Sequence, residues 1–347
     1  QIVVNQGILR AGNPRAFGAH GVGHEMIVNA GGTVDLRGQA LNYGDDPSAM
    51  RKIFQVSGSG MNGMGAITNT TGTGQFSHLI LADNATISGG GFVNGSRLDL
   101  AGYDTNPNNG SALDGNFTRN FPTLAGNNKV LTIIGSRQGD GVVLHQPVFE
   151  SPLSKIDLKE GILRLEMDTP VNSAGLWTGV SSANVTGGIE IAYGGASLAE
   201  QNNTALGLGP NVGARLNLYR NWDVHHTVNI AMNGVTAKGA ATSISAGGVN
   251  YIDTGTDTIP SPRTYLDGTL TLSGDADRNV IHNDSATASN TVTAESNLTG
   301  DLQTKLIVGG QIRGSGGFTK TGARELRLTN NNDFSGALNV LRFGSTA

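Results

Sequence analysis

Gly268-Thr269-Leu270-Thr271-Leu272 sets two leucines at alternate positions just behind a glycine, and the same short pulse recurs along the chain. It returns as Met26-Ile27-Val28-Asn29, Thr33-Val34-Asp35-Leu36, Arg97-Leu98-Asp99-Leu100, Gly161-Ile162-Leu163-Arg164-Leu165, Arg215-Leu216-Asn217-Leu218 and Glu325-Leu326-Arg327-Leu328. A period of two turns the aliphatic side chains to one face and the polar ones to the other, with a turn residue close by, which predicts strands of about four residues. A strand that short buries too little alone, so the pulses must stack on a shared core.

Composition excludes the competing classes. Of 347 residues 52 are Gly, about 15% against a usual ~7%, and only 14% are charged against a usual ~25%. Gly, Asn, Thr and Ser at that density destabilise long helices. Collagen needs Gly at every third position and many more than 10 Pro. A net charge of −4 gives little of the self-repulsion that keeps chains disordered. The reading is all-β. Zero Cys removes disulfides, thiolate metal sites and Cys nucleophiles. No apolar run reaches the 18 or so residues of a membrane-spanning helix. A balance of 23 basic against 27 acidic residues argues against nucleic acid as a partner.

Two architectures stack short strands indefinitely, a sandwich of hairpins and a parallel β-helix. Asn-Gly and Asp-Gly pairs occur, but few have strand pulses on both sides as a hairpin requires. The spacing favours coils of roughly 20–25 residues, about 14–17 of them, in a rod of roughly 70–80 Å. Gly-Ile-Leu-Arg at Gly7 to Arg10 returns at Gly161 to Arg164, which marks a degenerate repeat. Residues 103–129 and 254–263, dense in Asn, Gly, Thr and Pro, read as inserted loops. Asp46 as N-cap and Pro47 at the first position predict one short helix over Asp46 to Phe54.

The stretch Gly314-Ser315-Gly316-Gly317-Phe318-Thr319-Lys320-Thr321-Gly322, with its strand Glu325 to Leu328, Asn330 and Asp333-Phe334-Ser335-Gly336, resembles the autotransporter-associated β-strand repeat of bacterial autotransporter passengers. Arg324 and Glu325 stand where small residues are more usual. Val3 to Gly18 resembles the second half of the same unit. The resemblance implies a right-handed parallel β-helix (solenoid), export and surface display, and no single activity. It makes residues 1–347 one continuous segment, expected to belong to a longer repetitive chain.

Candidate chemistry is sparse. Gly58-Ser59-Gly60-Met61-Asn62-Gly63 fits G-x-G-x-x-G, but Met64-Gly65-Ala66-Ile67 does not supply the helix whose N-terminus holds a pyrophosphate. His20 and His24 beside Glu25 lie about 13 Å apart if the segment is extended, too far for one metal; Gly18, Gly21 and Gly23 favour a loop, on which the two could converge, and polar surface is the first reading. His225-His226, beside Trp222 and Asp223, reads as surface or edge packing. Asp45-Asp46, Asp253 with Asp257, and Asp275 with Asp277 are the candidate carboxylates, because glycosidases set two about 5–10 Å apart; as Asp in a Gly-rich chain they read first as turn formers. Sequons at Asn84, Asn94, Asn109, Asn184 and Asn297 follow from composition. The expectation is therefore no catalytic, cofactor-binding or metal-binding residue and no cofactor. The chain reads as a non-enzymatic extracellular structural or adhesive fibre on a bacterial cell surface, with other copies of itself, glycans or neighbouring cells as partners. A polysaccharide-degrading β-helix enzyme and a phage tail-fibre segment are the alternatives.

Overall fold

The computed structural model describes residues 1–19, 21–41, 52–89, 96–104, 119–135, 141–167, 179–192, 212–220, 224–233, 241–247, 263–274, 276, 279–283, 305–321 and 326–340. These are all-β, with short strands paired in parallel sheets. The simplest rung is the last, built of Leu326–Leu328, Asp333–Phe334 and Leu338–Val340. Its three strands lie against Lys305–Val308, Ile312–Gly314 and Phe318–Thr321, with Leu306 beside Leu326, Arg313 beside Asp333 and Phe318 beside Leu338, a step of 20 residues on every side. Before these comes Arg263–Leu266, Leu270–Ser273 and Asn279–Asn283. A rung thus has three sides, each continuing a sheet.

On the second side eleven strand segments follow one another, from Gly7–Arg10 to Asp333–Phe334, the rear half of His78–Gly89 among them. Steps between them run from 20 to 46 residues. Among the described residues the second side thus stacks eleven strand segments against the 14–17 coils expected, because most steps carry more chain than the strands use. His78–Gly89 crosses two sides without a corner: its front half pairs with Ile53–Gly58 and Thr123–Ala125, its rear half with Ile67–Asn69 and Val130–Gly135. Thr123–Ala125 corrects the loop assigned to 103–129. Tyr103–Asp104 pairs antiparallel with Arg119–Asn120 in a separate two-stranded sheet, and residues 105–118 lie outside the described residues. Three residues are too short a pulse to show a period. The helix expected over Asp46 to Phe54 is corrected at its end, where Ile53 and Phe54 begin a strand with both side chains buried; residues 46–51, like 254–262, lie outside the described residues.

Alternation in sequence becomes columns in the stack. Leu131, Ile156, Ile189, Ile230, Leu270 and Ile312 are successive register partners, each at most 4% exposed. Beside them run Ile133, Leu158, Ile191, Met232 and Leu272. Each such side chain contributes about 1.5–3 kcal/mol by leaving water. Where the first side passes into the second, neighbouring rungs are tied by Asn. Asn29 Nδ2 donates to Asn5 Oδ1 at 2.7 Å, while Asn84, Asn229 and Asn332 each accept a main-chain N–H of a neighbouring rung, from Val130, Thr269 and Ile312. Glycine is required where rungs touch: a Cβ on Gly310 would enter the carbonyl oxygen of Gly268, and Gly188, at φ +82, has the Asn229 carbonyl against it.

Candidate functional site

The densest ionisable cluster lies on the outward face of the third side. Arg97 and Asp99 come from Arg97–Leu100, His145 from Gly141–His145, and Arg164 and Glu166 from Gly161–Met167, three neighbouring parallel strands. Alternation sends Leu98, Leu100, Leu144, Leu163 and Leu165 into the core and these residues to the other face. Arg97 donates to Asp99 Oδ2 through Nε at 2.9 Å and Nη2 at 2.7 Å. His145 stands between two carboxylates, Nε2 at 3.5 Å from Asp99 and Nδ1 at 3.8 Å from Glu166, and Arg164 lies 3.5 Å from Glu166. Asp99 is fully buried and its Oδ1 accepts no hydrogen bond, nor does Asn217 Oδ1 on the next strand. Each Arg meets the carboxylate two residues on in its own strand, and His145 is the side chain set between the strands, with Asp99 on one side and Glu166 on the other.

The second side carries an exposed counterpart. Lys155 Nζ donates to Glu190 at 2.7 Å and lies 3.9 Å from Asp157, which also meets Lys159 at 3.4 Å. The bond to Glu190 raises the Lys155 amine above its usual range, against a smaller opposing effect of burial. On the first side His225 Nδ1 is 2.6 Å from Asp267 Oδ2 and the ring stacks on Tyr265, centroids 3.9 Å apart and 5° from parallel. His226 points the other way, 2% exposed, its Nδ1 accepting from the Val180 N–H. Strand alternation separates the two histidines, which the sequence reading had taken together at the surface or an edge.

The remaining candidates divide between structural roles and the undescribed segments. Gly60, at φ 74, opens a single 3-10 turn over Met61–Gly63; Met61 donates its N–H to Thr33 Oγ1, which donates to the Gly65 carbonyl. The glycine motif is therefore a corner fastened to its neighbouring rung. Glu25 accepts from the Gly23 N–H at 2.7 Å and the Gln1 side chain at 3.0 Å, which hold its carboxyl at about 2. His20, Asp45, Asp46, Trp222, Asp223, Asp253, Asp257, Asp275 and Asp277 lie outside the described residues. Among the described residues no three His, Asp or Glu are placed to share a metal ion, and no helix is long and apolar enough to cross a membrane.

Sequence reasoning missed Lys52. It falls in the segment expected to be helical, yet its ammonium is buried and donates to the carbonyls of Phe17, Ala19 and His24. Burial lowers its affinity for the proton, Glu25 opposes that shift, and the three carbonyls favour the charged form. A lysine opening the strand Ile53–Gly58 is the one trace it leaves in the sequence. No family model matches the chain, and no curated protein or solved structure is significantly similar to it.

Proposed function

We propose that the chain is a right-handed parallel β-helix with inserted loops, serving as a non-enzymatic structural or adhesive rod displayed on a bacterial surface, as the autotransporter-associated repeat implies. One observation supports this reading above the others: described ionisable groups are paired with one another, within a strand as in Arg97 with Asp99, or between neighbouring rungs as in Lys155 with Glu190 and His225 with Asp267. Uninterrupted aliphatic columns beneath them suit a stiff scaffold. At about 4.8 Å per rung the eleven described segments of the second side make about 50 Å of rod, shorter than the rung count from sequence alone would give. Outer faces and inserted loops supply the contacts, to further copies of the chain, to surface glycans or to neighbouring cells. Protease treatment of intact source cells removes the chain on this account, and the purified protein releases neither reducing ends nor unsaturated uronates from neutral and acidic polysaccharides. Recovery of the chain from cytosol alone, or time-dependent release of either product, overturns it.

A further inference from the structure

Between the strands Gly7–Arg10 and Met26–Val28, the described residues from Ala11 to Glu25 lie in no strand. Phe17 is buried at the base of this stretch, Gly18, Gly21 and Gly23 hold positive φ, and Val22 stands 90% exposed at the tip. Short local turns order parts of it, with the Ala16, Gly18 and His24 N–H groups donating to the carbonyls of Asn13, Arg15 and Gly21. What joins the two halves of the stretch is one atom, the Lys52 Nζ, in a residue 1% exposed. That atom lies 2.7 Å from the Phe17 carbonyl, 3.0 Å from that of Ala19 and 2.9 Å from that of His24. An ammonium has three N–H donors and no acceptor, so the three carbonyls satisfy it completely. Removing a charge from water costs far more than burial of the apolar lysine stem returns, unless such partners compensate it. A cavity of about 270 Å³ lies alongside, lined among others by Ile2, Phe17, His24 and Lys52.

We propose that the three carbonyls form a cation cradle, with Lys52 as its built-in cation, and that this charge, rather than packing of the lysine stem, holds the two halves of Ala11 to Glu25 together. Packing by the lysine stem alone would not fix three carbonyls around one point.

Hydrogen exchange of the full chain tests this with two variants. Lys52→Met keeps the stem without the charge, and exchange over residues 11–25 should rise at least tenfold while Lys155–Leu158 stays unchanged. Lys52→Ala opens the cradle to n-propylammonium, which should return exchange to within about threefold of the parent. Tetramethylammonium, with no N–H to donate, should not. Exchange in Lys52→Met within twofold of the parent, or equal rescue by both cations, overturns the proposal. Should Lys52→Ala lose protection throughout, a rise in Tm with n-propylammonium alone upholds it, and the absence of that rise overturns it.

Discussion

The last two rungs and the first three solve the same stacking problem with different materials. From Lys305 to Val340 every side advances by 20 residues, and an Asn at the corner is the main polar tie. Near the other end the steps lengthen to 24 and 28 residues on the first side, and buried polar groups collect. Asp35 accepts from the N–H of Arg37 and Thr70, from Thr70 Oγ1 and from Arg10. Asn69 accepts from the Gly38 N–H and donates to the carbonyls of Thr71, Gly72 and Arg97. With Lys52 these side chains tie rungs whose corners are no longer alike. A uniform repeat needs only its columns. A rung that departs from the repeat needs satisfied polar groups inside, because buried main-chain N–H and C=O must still be paired.

This contrast can be broken most forcefully in the columns. Ile189→Ala, midway along the second side, should cost about 2–5 kcal/mol in urea unfolding, and Leu326→Ala, in a partly buried position of the last rung, less than half as much. Equal losses would mean that the columns are not continuous. Next in size is Asn69→Ala, which strands several main-chain partners and should cost about 2–3 kcal/mol, while Asn332→Ala, with one bond, should cost about 1. Smaller still is the exposed pair Lys155 and Glu190, where a double-mutant cycle should give no more than about 1 kcal/mol. Its contribution is complete below the usual lysine range and fades as pH rises through the raised value of Lys155. Least is Glu25, held at about 2 against an ordinary 4.5. What it adds is present above pH 4.5 and fades as pH falls towards 2, so Glu25→Gln should flatten the Tm profile across that window alone.

Much of the repeat was legible because alternation survives in short segments. Met26 to Val28, Arg97 to Leu100, Gly161 to Leu165, Leu270 to Leu272 and Leu326 to Leu328 all lie in strands, with their aliphatic residues turned inward in most cases. The count of rungs was not legible, since a column such as Ile189, Ile230 and Leu270 is joined by steps of 41 and 40 residues that no fixed period exposes. The strand Ile53–Gly58 was hidden behind Asp46 and Pro47, whose helix-start chemistry is real in isolation but does not bind the residues that follow. Of the site, His225 and Glu25 were visible as residue types. Their partners, Asp267 and the Gly23 N–H, were not, because stacking and turn geometry set those contacts. Lys52 was invisible for the same reason: a charge beside apolar residues reads as solvated, and the carbonyls that cradle it lie 28 to 35 residues away.

The continuous register of the second side is the claim on which everything else rests. A chain without Cys accepts paired spin labels at chosen positions with no background to remove. Thr132, Asp157, Glu190, Ala231, Thr271 and Arg313 are successive partners on one outward column. Labels at Thr132 with Ala231, with Thr271 and with Arg313 should therefore report distances that grow by about 5 Å per rung, near 14, 19 and 24 Å. Distances that fail to increase in that order, or a spread too broad to separate them, would contradict the stack.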